Sequence, residues 1–362
     1  MFADDAARLA PAPVVCLGEA LVDWVSLTPT LDLGRAETFV KAAGGAPANV
    51  SVGLARLGVP VSFVGGFAQD AFGPWLMATM QDAGVDLQYA QKVANANTRH
   101  AYVLTGPDGN RVLCGFTKAQ CADVMLAWTP DLQQAINKAP VFYCSGPVLQ
   151  AYEPSRALIQ RLLRERDQAN APGLVFYDPN LRFPLWPEID AQVPLGQHPA
   201  VEVMLQTIQQ SDVVKLSDDE LRLLNHSGHT NDEQATALDV FQRFGPKLLV
   251  VTMGHRGAYF VHAAGQGFVS PFQVPSVEMT GAGDGFVAGL IAGLVSRLAE
   301  RPEVPPRVLL DEMTYDALHR LVYRANAVGA LATTQPGAMA ALPTRADLER
   351  FLALAPASIA VV

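Results

Sequence analysis

Short blocks rich in Val, Leu, Phe and Tyr recur along this chain, separated by longer stretches whose apolar residues return every third or fourth position. The short blocks predict buried strands at 14–17, 61–65, 141–144, 174–177, 212–216 and 248–252. A strand covered on both faces reads as a continuous apolar run rather than an alternation. The longer stretches predict helices between them. One spans 49–57 just after Pro47, whose fixed φ suits a first helical turn. Phe72, Leu76 and Met80 share one helical face at i, i+4 spacing. In 154–168, Leu158, Leu162 and Leu163 are expected in a core, with Arg156, Arg161 and Arg164 in solvent. A further apolar helical run covers 286–295. Strands alternating with helices in this way predict an α/β fold with a largely parallel sheet.

Two regions break the alternation. Segments 21–27 and 37–41, and then 99–104 and 111–116, look like antiparallel strands. The second pair flanks Gly106-Pro107-Asp108-Gly109-Asn110, strong hairpin chemistry. Together these four predict a small sheet standing off the α/β body as a lid over a site. Residues 300–306, with three prolines, predict a surface loop between helices.

Composition narrows the function classes. The 362 residues are 50% hydrophobic and 17% charged, which describes a folded chain with room for one large or two smaller domains. A net charge of −9 argues against nucleic acid or an anionic membrane as partner. An acidic protein that handles a polyanion must gather its few cations locally, which draws attention to Lys118, Arg182, Lys215 and Arg256. Cys16, Cys114, Cys121 and Cys144 form no C-x-x-C pair and predict neither a zinc site nor a disulfide framework. Met-Phe-Ala-Asp-Asp opens the chain with acid where a signal peptide carries base, so the expected compartment is the cytoplasm.

The densest chemistry lies at 280–289, Thr-Gly-Ala-Gly-Asp-Gly-Phe-Val-Ala-Gly. Gly281, Ala282 and Gly283 have almost no side chain, and the helix that follows puts their amides at a positive dipole end, a ready anion site. Asp284 adds a carboxylate at its rim, where a base could take a proton from an attacking hydroxyl. Anion cradle and adjacent base are the requirements of phosphoryl transfer to an alcohol. The same residues also make an ordinary helix cap, and the motif alone leaves both readings open. Glycines at 281, 285, 289 and 293 also suit a membrane-helix packing face, but the apolar run falls short of the ~20 residues of a span. No G-x-x-x-x-G-K-[ST] occurs in the chain.

Gly44-Gly45-Ala46-Pro47-Ala48-Asn49 resembles the sugar-binding signature of the ribokinase-like (PfkB) carbohydrate kinases, and Thr280–Asp284 resembles their catalytic signature. Three further stretches resemble the fructokinase subfamily: Asp178-Pro179-Asn180-Leu181-Arg182 running on to Pro187, Lys215-Leu216-Ser217-Asp218-Asp219-Glu220, and Gly329 to Thr334 with Gly337 to Thr344. The five occur in family order over nearly the whole chain. The resemblance implies one ribokinase-like α/β domain over 1–362, a mostly parallel central sheet flanked by helices, with a small antiparallel β-lid from about 21–43 and 97–117. It implies ATP-dependent phosphorylation of D-fructose at the 6-hydroxyl, with Mg²⁺ carried on the nucleotide.

Residue by residue, the resemblance makes Asp284 the base and Gly281, Ala282 and Gly283 the anion hole. Asp23, Gly44, Gly45, Asn49, Lys118 and Arg182 are implied at the sugar. Asn180, Lys215, Ser217, Glu220, Thr252, Gly254, Gly257 and Asn326 are implied at the nucleotide, with Glu220 handling Mg²⁺ through water. Taken alone, Ser217-Asp218-Asp219-Glu220 is a helix N-cap with a capping box. His255 and Arg256 fall where the family varies and are expected in solvent.

Two departures stand out. Lys118 replaces the usual Arg and loses its planar fork. Glu278-Met279-Thr280 replaces Asp-Thr-Thr, whose first residue helps bind potassium in the family; Glu278 and Thr280 are therefore the candidate K⁺ residues, and potassium activation stays open. The implied partners are a small sugar and ATP, with homodimerisation through the lid left open. A 2-keto-3-deoxygluconate kinase, an aminoimidazole riboside kinase and a non-catalytic fructokinase-like interaction protein are the alternatives. A Rossmann dehydrogenase is disfavoured, since no G-x-G-x-x-G follows the first strand.

Overall fold

The computed structural model describes residues 12–107, 111–118, 120–147, 150–186, 194–225 and 232–354. The turn expected at 108–110 and the acidic first residues lie outside the described residues. The chain enters as β1 (Val14–Leu17), leaves in β2 (Leu21–Pro29) and β3 (Phe39–Gly44), and returns in β4 (Val61–Val64). A short ribbon, β5 (Gly66–Ala68) with β6 (Gln91–Val93), precedes β7 (His100–Thr105) and β8 (Arg111–Phe116). The rest are β9 (Val141–Ser145), β10 (Leu174–Asp178), β11 (Val213–Ser217), β12 (Leu248–Thr252), β13 (Ala258–His262) and β14 (Gly265–Val269).

The central sheet has eight strands in the order β14-β13-β12-β11-β10-β9-β1-β4. The six buried strands expected from the sequence all lie in it and pair in parallel. The hairpin β13–β14 extends one edge in antiparallel fashion and was not anticipated. Alternation along β1 divides the core: Val14 and Cys16 pack on one face with the helices Ala46–Arg56, Ala282–Glu300 and Tyr315–Ala332. Val15 and Leu17 pack on the other, with the helices Pro130–Lys138 and Ser155–Gln168. Helices on both faces explain why these strands are mostly apolar, with polar residues concentrated toward their carboxyl ends.

The helix at 46–56 begins three residues earlier than expected, with Pro47 inside its first turn. The C-terminal signature helix, Ala282–Glu300, is longer than its apolar run suggested. Its 19 residues and mean hydropathy of 1.3 are enough to cross a membrane by length and composition, which corrects the expectation that it falls short. Half of it is buried inside the molecule, where its small residues seat it closely against Tyr315–Ala332. The helix carries on through Glu300, and Pro306 opens another helix, Pro306–Asp311, so the loop is confined to 301–305. Arg156 and Arg161 pair with Glu153 and Glu165 rather than standing free, while Arg164 is exposed.

The lid forms from the expected segments, in the order β3-β2-β7-β8. Its two hairpins are antiparallel, but β2 and β7 join them in parallel. The chain runs back through the body between β3 and β7, and a strand re-entering after such a crossover arrives in parallel.

Candidate active site

The last residues of four neighbouring parallel strands are Ser145, Asp178, Ser217 and Thr252. A crevice at the carboxyl edge of such a sheet is where α/β proteins bind ligands. Here that edge is closed from one side by the lid and from the other by the turn leading into Ala282–Glu300.

Gly281 makes the turn with φ of 85°, a left-handed conformation in which a Cβ would also lie 3.0 Å from the Ala338 Cα. The Ala282 N–H donates to the Met279 carbonyl at 3.2 Å, so it is not free as expected. The Gly281 and Gly283 amides have no protein acceptor among the described residues, and the Gly285 N–H starts the helical ladder on the Gly281 carbonyl. Two open donors thus remain at a helix N-terminus.

Asp284 follows in the first turn and is buried, 9% exposed. The Asn49 side-chain amide donates to its Oδ2 at 2.7 Å, joining the two signature segments. Asn49 Oδ1 has no partner among the described residues. Burial pushes the Asp284 carboxyl above its ordinary pKa, opposed by the Asn49 bond and by the charges of Lys215 and Arg182. Lys215 is a buried cation on β11, with Nζ 3.4 Å from Asp178 Oδ1. Burial works against its charge, but Asp178, Glu220 and Asp284 outweigh that and raise its pKa. A Cβ on Gly283 would sit 3.7 Å from the Lys215 ammonium, which places that charge at the turn. Burial lifts Asp178 to about 6 against the pull of Lys215, with Glu220 and Asp284 adding to the rise.

A cavity of about 430 Å³ lies over these groups. Leu21 and Asp23 of β2, Ala101 and Val103 of β7, and Arg111, Leu113 and Phe116 of β8 form its lid side. Gly45, Asn49, Asn180, Arg182, Lys215, Ser217, Glu220, Thr280, Gly281, Gly283 and Asp284 line the body side. Asp23 is brought to about 7 by burial, then by the charges of Asp284 and Glu278, with Arg111 pulling it back. Gly44 makes room for it: a Cβ there would fall 2.0 Å from Asp23 Oδ2. A second cavity of about 340 Å³ adjoins, lined by Thr252, Gly254, Gly257, Phe272, Asn326, Ala330 and Thr333 among others. Thr252, Met279 and Gly283 line both, so the turn stands at the junction. Asn326 donates to the Val269 and Ser270 carbonyls, each at 3.2 Å, tying its helix to the sheet edge.

Most of the residues singled out in the sequence therefore meet around two adjoining cavities. Lys118 does not: it is exposed beyond the end of β8 and lines neither cavity. Ser217 and Glu220 form a complete capping box, and Glu220 accepts from the Ser217 and Leu181 amides at 2.7 Å each. Arg182 donates to the Leu181 carbonyl, and its charge favours the ionised form of Asp284. His255 is exposed, and it also lines the second cavity. Arg256, expected to be simply solvated, bridges Glu233 and Asp218. Glu278 accepts from the Gly337 amide at 2.7 Å and ion-pairs with Arg111 of the lid.

Three charged residues that also line the first cavity escaped sequence reasoning: Glu19, Asp178 and Arg111. Asp178 opens a recognised motif but was read only as part of it. Glu19 and Arg111 carry no local signal, because their importance comes from what the fold brings opposite them.

A helix N-terminus with two open amides thus stands beside a buried carboxylate, between a lidded polar cavity and a second one. Residues 12–345 match the family model described as pfkB family carbohydrate kinase, and this chain belongs to that family. It is 35% identical over 339 residues to "Probable fructokinase-4" of Arabidopsis thaliana, covering 94% of this chain and 96% of that one. Among solved structures, it resembles a fructokinase with bound ATP from Xylella fastidiosa at 28% identity and a TM-score of 0.78, covering 95% and 99% of the two chains. A Vibrio cholerae fructokinase double mutant, in a fructose, ADP and potassium ion bound form, matches at 30% identity and a TM-score of 0.72, covering 94% and 98%. The chain is a sugar kinase with the ribokinase-like α/β fold.

Proposed function

We propose that this sugar kinase transfers the γ-phosphoryl group of ATP to the 6-hydroxyl of D-fructose. The observation that carries the reading is the Asn49–Asp284 hydrogen bond, which holds a buried carboxylate in the lidded cavity, next in sequence to Gly283, which lines both cavities. The fructose assignment rests on the similarity to fructokinases.

In this reading the sugar lies in the lidded cavity, its vicinal hydroxyls donating to Asp23, an arrangement a carboxylate accepts through two oxygens. Asp284 takes the proton of the 6-hydroxyl as the O–H bond breaks and O6 forms its bond to the γ-phosphorus. The bridging P–O bond breaks, and ADP leaves with that electron pair. The Gly281 and Gly283 amides, with the Lys215 ammonium, stabilise the charge on the transferring group. ATP takes the second cavity, along Thr252, Gly254, Gly257 and Asn326. Closure of the lid excludes water that would otherwise accept the phosphoryl group.

Mg²⁺ enters as part of the nucleotide substrate; among the described residues no three His, Cys, Asp or Glu side chains cluster as a resident metal site. Both Glu220 oxygens hold backbone amides, so its part in metal handling is indirect. Both Glu278 oxygens are likewise engaged, by Arg111 and Gly337, and turnover without potassium is the reading adopted. One ribokinase-like unit acting in the cytoplasm completes it, with homodimerisation through the lid left to a sizing measurement.

The test is ADP release from Mg-ATP in potassium-free buffer with fructose, 2-keto-3-deoxygluconate, aminoimidazole riboside, ribose, glucose and no sugar. Phosphorus–proton coupling in the product locates the ester. Fastest turnover on fructose with a 6-phosphate product supports the reading. Preference for another sugar, or nucleotide binding without turnover, overturns it.

A further inference from the structure

Arg111 and Glu278 belong to different parts of the molecule. Arg111 opens β8 at the outer strand of the lid, and its side chain is 27% exposed. Glu278 stands three residues before Gly281, and its side chain is 5% exposed. One Glu278 oxygen accepts from the Gly337 amide at 2.7 Å, while the other faces the Arg111 guanidinium. The Val277 and Glu278 amides both donate to the Thr333 carbonyl, at 2.7 and 3.1 Å, so this limb of the turn is pinned to the body. Arg111 is thus an ion-pair link between the lid and the limb that leads into the anion turn. Both partners also act electrostatically on Asp23, the carboxylate on the neighbouring lid strand.

The arrangement has a consequence for charge. Glu278 is a buried carboxylate close to a site built to receive phosphate, and an unpaired charge there would both suffer desolvation and repel the anion. With the lid down, Arg111 neutralises it. A raised lid would carry Arg111 away and leave that charge unpaired, three residues ahead of the Gly281 turn.

We propose that Arg111 is a positioning residue that couples sugar binding to nucleotide binding: lid closure over the sugar delivers its guanidinium to Glu278 and so readies the turn for the γ-phosphate. The proposal rests on the sugar-kinase reading above and adds a direction of communication between its two cavities. Coupling of this kind is reciprocal, so sugar tightens nucleotide and nucleotide tightens sugar by the same factor. Glu278 is the harmful partner once Arg111 is gone, which makes the pair's mutational behaviour strongly non-additive.

The experiment measures the affinity of a non-hydrolysable ATP analogue with Mg²⁺, with and without saturating fructose, in wild type, Arg111→Gln, Glu278→Gln and the double variant. Steady-state kcat and KM for both substrates are measured alongside. Wild type is expected to bind the analogue about 5-fold or more tightly with sugar present. Arg111→Gln is expected to bring that ratio close to one and raise KM for ATP. Glu278→Gln removes the charge that needs neutralising, so the double variant is expected to regain nucleotide affinity lost in Arg111→Gln. Rescue by Glu278→Gln separates positioning from direct sugar contact, since a lost contact would leave the double variant no better than Arg111→Gln. An unchanged coupling ratio in Arg111→Gln, or no rescue in the double variant, overturns the proposal. Absence of sugar effect in wild type that still turns over fructose overturns it too. Failure of wild type on every sugar strikes the underlying functional reading instead.

Discussion

Replacing Asp284 by Asn leaves the shape of the site intact and removes only its capacity to take a proton. The Asn49 side chain now donates to Asp284 Oδ2 at 2.7 Å, and an asparagine carbonyl turned the same way can accept that bond. Two effects on stability oppose each other. A hydrogen bond to a charged acceptor is worth about 1.5–3 kcal/mol and to a neutral one about 1, so some stabilisation is lost. Against this, burial raises the Asp284 pKa in the folded protein above its unfolded value. Ionisation therefore costs the fold stability as pH rises above the ordinary carboxylate range, and the neutral amide escapes that cost. The net change should stay within about 1 kcal/mol, or a Tm shift of about 3 °C. The rate is different. A positioned general base contributes about 10²- to 10⁴-fold, equivalent to about 3–5 kcal/mol of barrier. Coupled ADP release under saturating Mg-ATP and fructose should show kcat lower by at least a hundredfold, with differential scanning fluorimetry near wild type. Wild-type kcat should also fall on acidification as Asp284 takes up a proton, whereas the residual activity of the variant loses that dependence. Turnover within tenfold of wild type in a folded Asp284→Asn protein would refute the assignment of the base.

The remaining predictions concern the sugar side and the turn. With Asp23 near 7 in the empty site, about a tenth of molecules carry its carboxylate at pH 6 and about nine-tenths at pH 8. KM for fructose should therefore fall by up to about tenfold between those pH values at saturating ATP, and Asp23→Asn should flatten the profile. A wild-type KM that is level from pH 6 to 8 counts against Asp23 as the ionised acceptor. Gly281→Ala places a side chain at φ of 85° and within 3.0 Å of the Ala338 Cα. The left-handed conformation alone costs about 1–2 kcal/mol, so thermal melts should show a lower Tm and kcat should drop about tenfold or more. Wild-type melting and kcat together would mean that the turn does not need a glycine there.

Much of this molecule could be read along the chain, because the deciding interactions are local. Mostly apolar runs marked the parallel strands, since burial on both faces removes the polar alternation of a half-exposed strand. Ser217 and Glu220 announced their capping box three residues apart, and Gly281 to Asp284 announced a helix N-terminus with a carboxylate in its first turn. The antiparallel edge hairpin β13–β14 was harder, because it pairs with β12 at one end of a sheet whose other members are parallel. The membrane-like length of Ala282–Glu300 shows the limit from the other side: composition alone allows a span, and only its packing inside the core shows where its apolar surface goes.

Sequence by itself thus determined the α/β alternation, the lid segments and the glycine turn that places Asp284 in the first turn of its helix, all of which depend on neighbours within a few residues. Tertiary structure alone decided which polar and charged groups meet: Asn49 with Asp284 across 235 positions, Lys215 with Asp178, and Arg111 with Glu278 across 167. It likewise left Lys118 outside the cavity that its motif had suggested. Electrostatic partnership depends on distance and burial in space, and neither is written in the spacing of residues along a chain.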